Sequence, residues 1–327
     1  MAEVKKNKRT ENKVVVVGEL KKLDVKFIAE AGADKVPMKI AEIHIESGEG
    51  EVHIGKMMAM ESYKDKEDPS KRVENRSYKA ITTMEEEYVS KQDISEGKAP
   101  EGAVPTVVRL NGHYELNIYK NRAGELKEVP QIQADFVNRV DNPNTEDFGA
   151  TFSVDGVVIA KGIAELDNDE NETGVVKFKV APLDFKGMAH PIEFKADDEI
   201  GEYFLEEAEI GSTVSLQGIV FNKFIFKEVE RVGGTMIGSK KIVDTKRESD
   251  RRIFVDTAML IEDEDSPRYI QEEEYKEALK LYEAKKVDEQ ARVQGAAKKE
   301  EPAKKGLIRG SKTAKPKVDI KSDDLPF

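Results

Sequence analysis

The sequence predicts a mainly β fold in two strand-rich halves, followed by one amphipathic helix and a disordered tail. Three observations carry that expectation. Up to Ile261, apolar residues recur in short β-branched runs or alternate with polar ones, the period of a strand with one buried face. The pattern V-x-L-x-G occurs twice, ending at Gly112 and at Gly218, an offset of 106 residues. After Glu262 the chain turns to charged helix formers and then to Lys, Ala, Gly and Pro.

Residues 1–12 are polar and basic, with Lys5, Lys6, Lys8 and Arg9 and no apolar period, and read as a mobile arm. Val14–Val17 followed by Gly18-Glu19-Leu20 is β-branched and too short for a helix, hence a buried strand. Ala41, Ile43 and Ile45 alternate with Glu42 and His44, and Val52 and Ile54 flank His53. With Ser47–Gly50 as the turn, these two runs make a β-hairpin. An insertion follows at about 62–105. Its Lys71, Arg72, Arg76 and Lys79 suit a groove wall, whereas Glu85, Glu86 and Glu87 suit a mixed solvated surface, and both readings stand. The first repeat strand, Thr106–Gly112, continues through Tyr114, Leu116 and Ile118, with His113, Asn117 and Tyr119 on the opposite face, and a further strand covers Gln131–Val137. In the second half Val176, Phe178 and Val180 face inward, which turns Lys177 and Lys179 outward. The second repeat strand, Ser212–Gly218, and a last strand, Ile253–Ile261, complete it. The halves are expected at 13–140 and 150–263. Ser266-Pro267 has the form of a helix cap and first helical position, and Tyr275, Leu279 and Tyr282 form one stripe, so a helix is expected over 266–293. Residues 295–327, nearly free of large apolar side chains before their last few positions, read as a disordered basic tether.

Composition narrows the chemistry. The 65 acidic and 53 basic residues give a formal charge of -12, so any polyanion must be met by a local basic patch. With no cysteine, disulfides and thiolate metal sites are excluded. No apolar run reaches the roughly 18 residues of a membrane span and no secretory leader opens the chain, so an intracellular soluble protein is expected. Gly233–Lys240 reads GGTMIGSK, with Ser239 where a phosphate-binding loop requires Lys. His44, His53, His113 and His190 have no zinc-ligand spacing. The sequence therefore predicts no enzyme, no cofactor and no metal.

The final residues, DIKSDDLPF, combine an acidic run, a restricted Pro and a terminal ring in one segment. Such a peptide suits capture by a basic, apolar pocket on another protein. The tip resembles that of the bacterial and bacteriophage single-stranded-DNA-binding protein family. So do Asn12-Lys13-Val14-Val15-Val16-Val17-Gly18-Glu19-Leu20 at the start and Glu199–Leu205 with Gly211–Gly218 in the second half. Because the opening motif lies in one half and the later ones in the other, the resemblance implies two tandem copies of the family's OB-fold barrel.

What the resemblance implies for function is sequence-independent binding and protection of single-stranded DNA in replication, recombination and repair. It also implies recruitment of partner proteins through Asp323, Asp324, Leu325, Pro326 and Phe327, in the cytoplasm of a bacterium or phage-infected host. Binding of this kind needs cations for phosphates and rings for bases. Lys223, Phe224, Phe226, Lys227, Arg231, Lys240, Lys241, Lys246, Arg247, Arg251 and Arg252 cluster between the second repeat strand and the last strand, where the family has its long loop. Lys177 and Lys179 either join them or form a solvated face, and Tyr119 is a further stacking candidate. Two other readings stay open: an OB-fold adaptor that binds only proteins, and a single-stranded RNA binder. A homodimer and a monomer are equally compatible with the sequence.

Overall fold

A strand that must bend to serve two partners organises the molecule. The computed structural model describes residues 9–121, 124–167, 169–230 and 243–297, with side chains omitted at 224–249 and 292–297. The chain is mostly strand with few helices, and no helix among the described residues is long and apolar enough to cross a membrane. Strand β1 (Asn12–Ala31) runs for 20 residues. Its register shifts between Leu20 and Lys22. Before the shift its two edges pair with different strands, and beyond it the strand forms one arm of a hairpin.

Five strands close a first circuit: β1, β2 (Val36–Gly48), β3 (Glu51–Met60), β6 (Val107–Lys120) and β7 (Leu126–Arg139). Hydrogen bonding runs β1–β2–β3, crosses in parallel from β3 to β7 at Gly55↔Ile132, and returns through β6 to β1. The expected alternation is met, with Ala41, Ile43, Ile45, Tyr114 and Leu116 buried. Between β3 and β6 the insertion forms a small ribbon, β4 (Ser62–Lys64) and β5 (Arg72–Glu74), and two helices, α1 (Arg76–Glu87) and α2 (Lys91–Ser95). Asn75 caps α1 by accepting from the Ser77 N–H, and Ile81 and Met84 enter the core. Ser90 and Asp93 form a reciprocal capping box on α2.

The second circuit repeats the plan with β8 (Gly149–Leu166), β9 (Glu172–Ala181), β10 (Ile192–Ala196), β11 (Thr213–Glu230) and β12 (Val243–Leu260). Its pairing runs β8–β9–β10, crosses in parallel to β12 at Lys195↔Phe254, and returns through β11 to β8. Helix α3 (Asp198–Glu202) lies between β10 and β11. The repeated V-x-L-x-G falls at the same place in both circuits. Gly112 and Gly218 each sit at a register shift, and a Cβ there would lie 2.2 Å from the Gln133 carbonyl oxygen and 2.0 Å from that of Phe254. In each case the extra residue of the bulge, Asp135 or Asp256, lies on the partner strand, and the facing glycine lets that strand's backbone approach closely.

The circuits are not separate bodies. β1 pairs with β8 from Asn12↔Val154 to Val17↔Gly149, β11 touches β3 at Lys223↔Glu51, and one apolar cluster runs through both. Helix α4 (Glu272–Ala297) straps them, with Ala278 against Leu183 and Ala189 of the second circuit and Tyr282 against Leu116 and Ile118 of the first. The helix starts later than Ser266-Pro267 suggested. Arg268 donates to both oxygens of buried Asp155 at 2.8 and 2.6 Å, and Ile270 is buried, so the chain must cross the sheet before it can coil. At the far side Tyr282 donates to Glu128 at 2.5 Å and Lys286 approaches the same carboxylate at 2.9 Å. Burial and the Glu128 bond push the Tyr282 hydroxyl up to about 12.

Candidate nucleic-acid interface

Strand alternation decides where the cations stand. In β9 Val176, Phe178 and Val180 are buried, and Lys177 and Lys179 point out. The neighbouring short strand β10 adds Lys195 directly opposite Lys177, while Glu193 lies opposite Lys179. Glu165 of β8 sits between the paired lysines, 2.8 Å from Lys177 and 2.7 Å from Lys195. Partial burial pushes its carboxyl up, but the two ammonium groups win and hold it below the ordinary range.

The β11–β12 ribbon adjoins this face, with Phe254 of β12 opposite Lys195 of β10. Its ladder extends without interruption from Gly218↔Val255 to Glu230↔Val243, so the segment expected as a loop between the second repeat strand and the last strand is largely a two-stranded arm. At its base the Arg252 guanidinium lies 4.9 Å from the centre of the Phe221 ring and donates to Asp250 at 2.7 Å. Asn222, opposite Arg251, donates to the Val52 carbonyl and so ties the arm to β3.

Where the arm meets the first circuit there is a cleft of about 580 Å³. One wall comes from β2, β3 and β7, with His44, Ile54, Lys56 and Pro130; the other comes from β10, β11 and β12, with Lys195, Phe221, Asn222, Arg251 and Arg252. Tyr114 is among the lining residues. His53, also in the lining, is buried against Ser47 at 3.1 Å and Glu51 at 3.2 Å, and burial lowers its pKa despite that carboxylate. A second concavity of about 520 Å³ lies on another part of the sheet, where the cross-strand row Lys13–Ser153–Gln217–Thr257 joins the circuits.

Of the residues expected from sequence, Arg251 and Arg252 line the cleft, Lys177 and Lys179 stand on the adjoining face, and Lys223 is exposed beside it, opposite Glu51. Phe224, Phe226, Lys227, Lys246 and Arg247 occupy the arm, with Phe226 opposite Arg247 and Lys227 opposite Lys246; their side chains lie outside the described part. Arg231, Lys240, Lys241 and the tip Asp323–Phe327 lie outside the described residues. Tyr119 is exposed on the β6–β7 hairpin and does not line the cleft. Lys56, Lys195, Phe221 and Asn222 went unrecognised. Lys195 alternates with Phe194 and Ala196 over only a few residues, too short a run to mark a strand. Among the described residues Asp24, Glu42 and His44 bring possible metal-ligand atoms within 4.8 Å of one another, but Lys22 already neutralises Asp24 at 2.7 Å.

A family model described as YorF matches residues 10–301, which include both circuits and the helical strap. The chain belongs to the YorF family. No curated protein matches it significantly. Among solved structures, this YorF chain is similar to the wild-type single-stranded DNA binding protein from Thermus aquaticus, with 13% identity and a TM-score of 0.44 over 79% of this chain and 96% of that one. A deletion mutant of the same Thermus aquaticus protein gives 12% identity and a TM-score of 0.45, covering 79% of this chain and 98% of that one. A replication protein A heterotrimer bound to single-stranded DNA gives 9% identity and a TM-score of 0.23, covering 65% of this chain and 45% of that one.

Proposed function

We propose that the chain is two tandem OB-fold barrels, at about 13–140 and 150–263, that bind single-stranded DNA without sequence preference and without catalysis. The barrel reading is supported by the two strand circuits, each closed by one parallel pairing in the same position. One observation carries the function: Lys177, Lys179 and Lys195, offset only in part by Glu165 and Glu193, form a face that leads into a cleft lined by Arg251, Arg252 and the Phe221 ring. Cations meet phosphates, and an aromatic ring beside an arginine offers a base somewhere to stack. The basic and aromatic character of the sequence adds Phe224, Phe226, Lys227, Arg231, Lys240, Lys241, Lys246 and Arg247 to the proposed contacts. Binding of an oligothymidine strand, followed by gel shift or fluorescence anisotropy, is expected to weaken steeply as salt rises. No binding at low salt, with the tail beyond residue 295 removed, would overturn the reading in favour of a protein-binding adaptor. Competition between RNA and DNA strands of equal length separates the RNA alternative.

The tip Asp323–Phe327 serves as a docking peptide for proteins of DNA replication, recombination or repair, and deleting Ser322–Phe327 is expected to abolish their recovery with the full chain. Dimerisation is favoured by the uncharged cross-strand row Asn111–Val15–Thr151–Ile219, which crosses both circuits and ends beside exposed Phe136. An uncharged row with an exposed ring at its end suits a partner sheet. Sedimentation of Thr151→Lys against the parent chain tests it, with a shift toward monomer expected.

A further inference from the structure

Buried polar side-chain atoms in folded proteins nearly always have a hydrogen-bond partner, and each exception needs a reason. Among the described residues three have none: the Tyr114 hydroxyl, Asn222 Oδ1 and Arg252 Nε. All three belong to residues lining the cleft between the circuits. They come from β6, β11 and β12, so no single local distortion explains them.

Each of these side chains is otherwise held in place. Asn12 accepts from the Tyr114 N–H at 3.0 Å and donates to its carbonyl at 2.8 Å, which fixes the backbone that carries the ring. The Asn222 amide nitrogen is anchored on Val52, and the Arg252 terminal nitrogen on Asp250. What is left is an oriented acceptor, an oriented donor and a hydroxyl able to do both. Around them the lining is largely apolar, with four cations, Lys56, Lys195, Arg251 and Arg252, against two carboxylates. The volume of about 580 Å³ lies within the range of small-ligand pockets. A flat group with donors and acceptors on one edge and an anion beside it answers all these demands. That group is a nucleotide.

We infer that one base of a bound single strand leaves the stack and enters this cleft edge-on, with Tyr114, Asn222 and Arg252 as its hydrogen-bonding partners. The inference rests on the single-stranded-DNA reading above and adds a distinct requirement: affinity depends on a base being present, which contacts to phosphate do not. Every base carries both a donor and an acceptor on its pairing edge, so the cleft accepts any base and still penalises none.

The test is a cycle on the full chain with two probes, oligothymidine and a strand of equal length made wholly of abasic units, read by fluorescence anisotropy at one salt concentration. Tyr114→Phe is expected to weaken oligothymidine binding about fivefold, the size of one hydrogen bond, and to leave abasic binding unchanged. Because Tyr114→Phe removes an unpartnered buried hydroxyl, its Tm should equal or exceed that of the parent, so a loss of binding will not reflect misfolding. Equal effects on both probes, or none on either, would overturn the inference and leave the parent reading intact. Failure of the parent chain to bind either probe would overturn both.

Discussion

The two circuits share a strand order, a parallel closure and a bulge facing a glycine, yet their outer faces differ. On β2 and β3 of the first circuit, Met38 lies opposite Met60 and Ile40 opposite Met58, with Met58 59% exposed. The matching strands of the second circuit, β9 and β10, present Lys177, Lys179 and Lys195. Inward residues and the bulges that let strands close are common to both copies, because they set the fold. Outward residues are free to diverge, and in them the two copies take different chemical roles. On the proposed function the second circuit would meet the phosphates, while the first supplies an apolar wall.

The sharpest way to break the comparison is at the shared bulges. Gly112→Ala and Gly218→Ala each drive a methyl group into a backbone carbonyl, and each is expected to cost about 3 kcal/mol or more in denaturant unfolding. A large cost at one and almost none at the other would show that the bulges are not equivalent. On the outer faces, Lys177→Glu with Lys179→Glu should weaken oligothymidine binding by about two orders of magnitude and flatten its salt dependence, whereas Lys26→Glu with Lys56→Glu on the first circuit should cost about tenfold or less. The strap gives a smaller effect. Tyr282→Phe removes the bond to Glu128 and is expected to cost about 1 kcal/mol in thermal or chemical unfolding.

The smallest expected effect is a pH dependence confined to the first circuit's cleft wall. Burial lowers the folded-state pKa of His53 below its ordinary value near 6.5. Above that value both folded and unfolded states hold the ring neutral. As pH falls below it the unfolded state takes up a proton that the folded state resists, so stability declines until the folded pKa is reached. His53→Gln should therefore flatten the stability profile just below pH 6.5. Carboxylates held low by lysines, such as Glu165 and Glu128, lose their contribution at more acid pH and do not overlap this window.

Much of the fold was legible because it is local. The alternation at Ala41, Ile43 and Ile45, the core trio Val176, Phe178 and Val180, and the paired glycines are properties of neighbours in sequence. The parallel closures β3–β7 and β10–β12 are not, since a pairing of one or two residues across a long connection leaves no period to read. The helix start was misplaced for a similar reason: Arg268 answers to Asp155, 113 positions away. The interface was half legible. Basic residues between the second repeat strand and the last strand stood out as a charge cluster, but the cleft needs Lys56, Tyr114, Lys195 and Asn222 brought from four strands. Tyr114 in particular reads as an ordinary core ring, and it is one in every respect except its hydroxyl.

The double use of β1 also governs how the chain can be divided. Its first residues give one edge to β6 and the other to β8, so a cut between the circuits would not free two finished units. It would strip the same ladder from both, leaving β1 bare on one fragment and β8 bare on the other. Unpaired edges of that length are templates for further strands. Halves produced alone would find one another, or their own copies, and their association would report edge hunger more than any native contact.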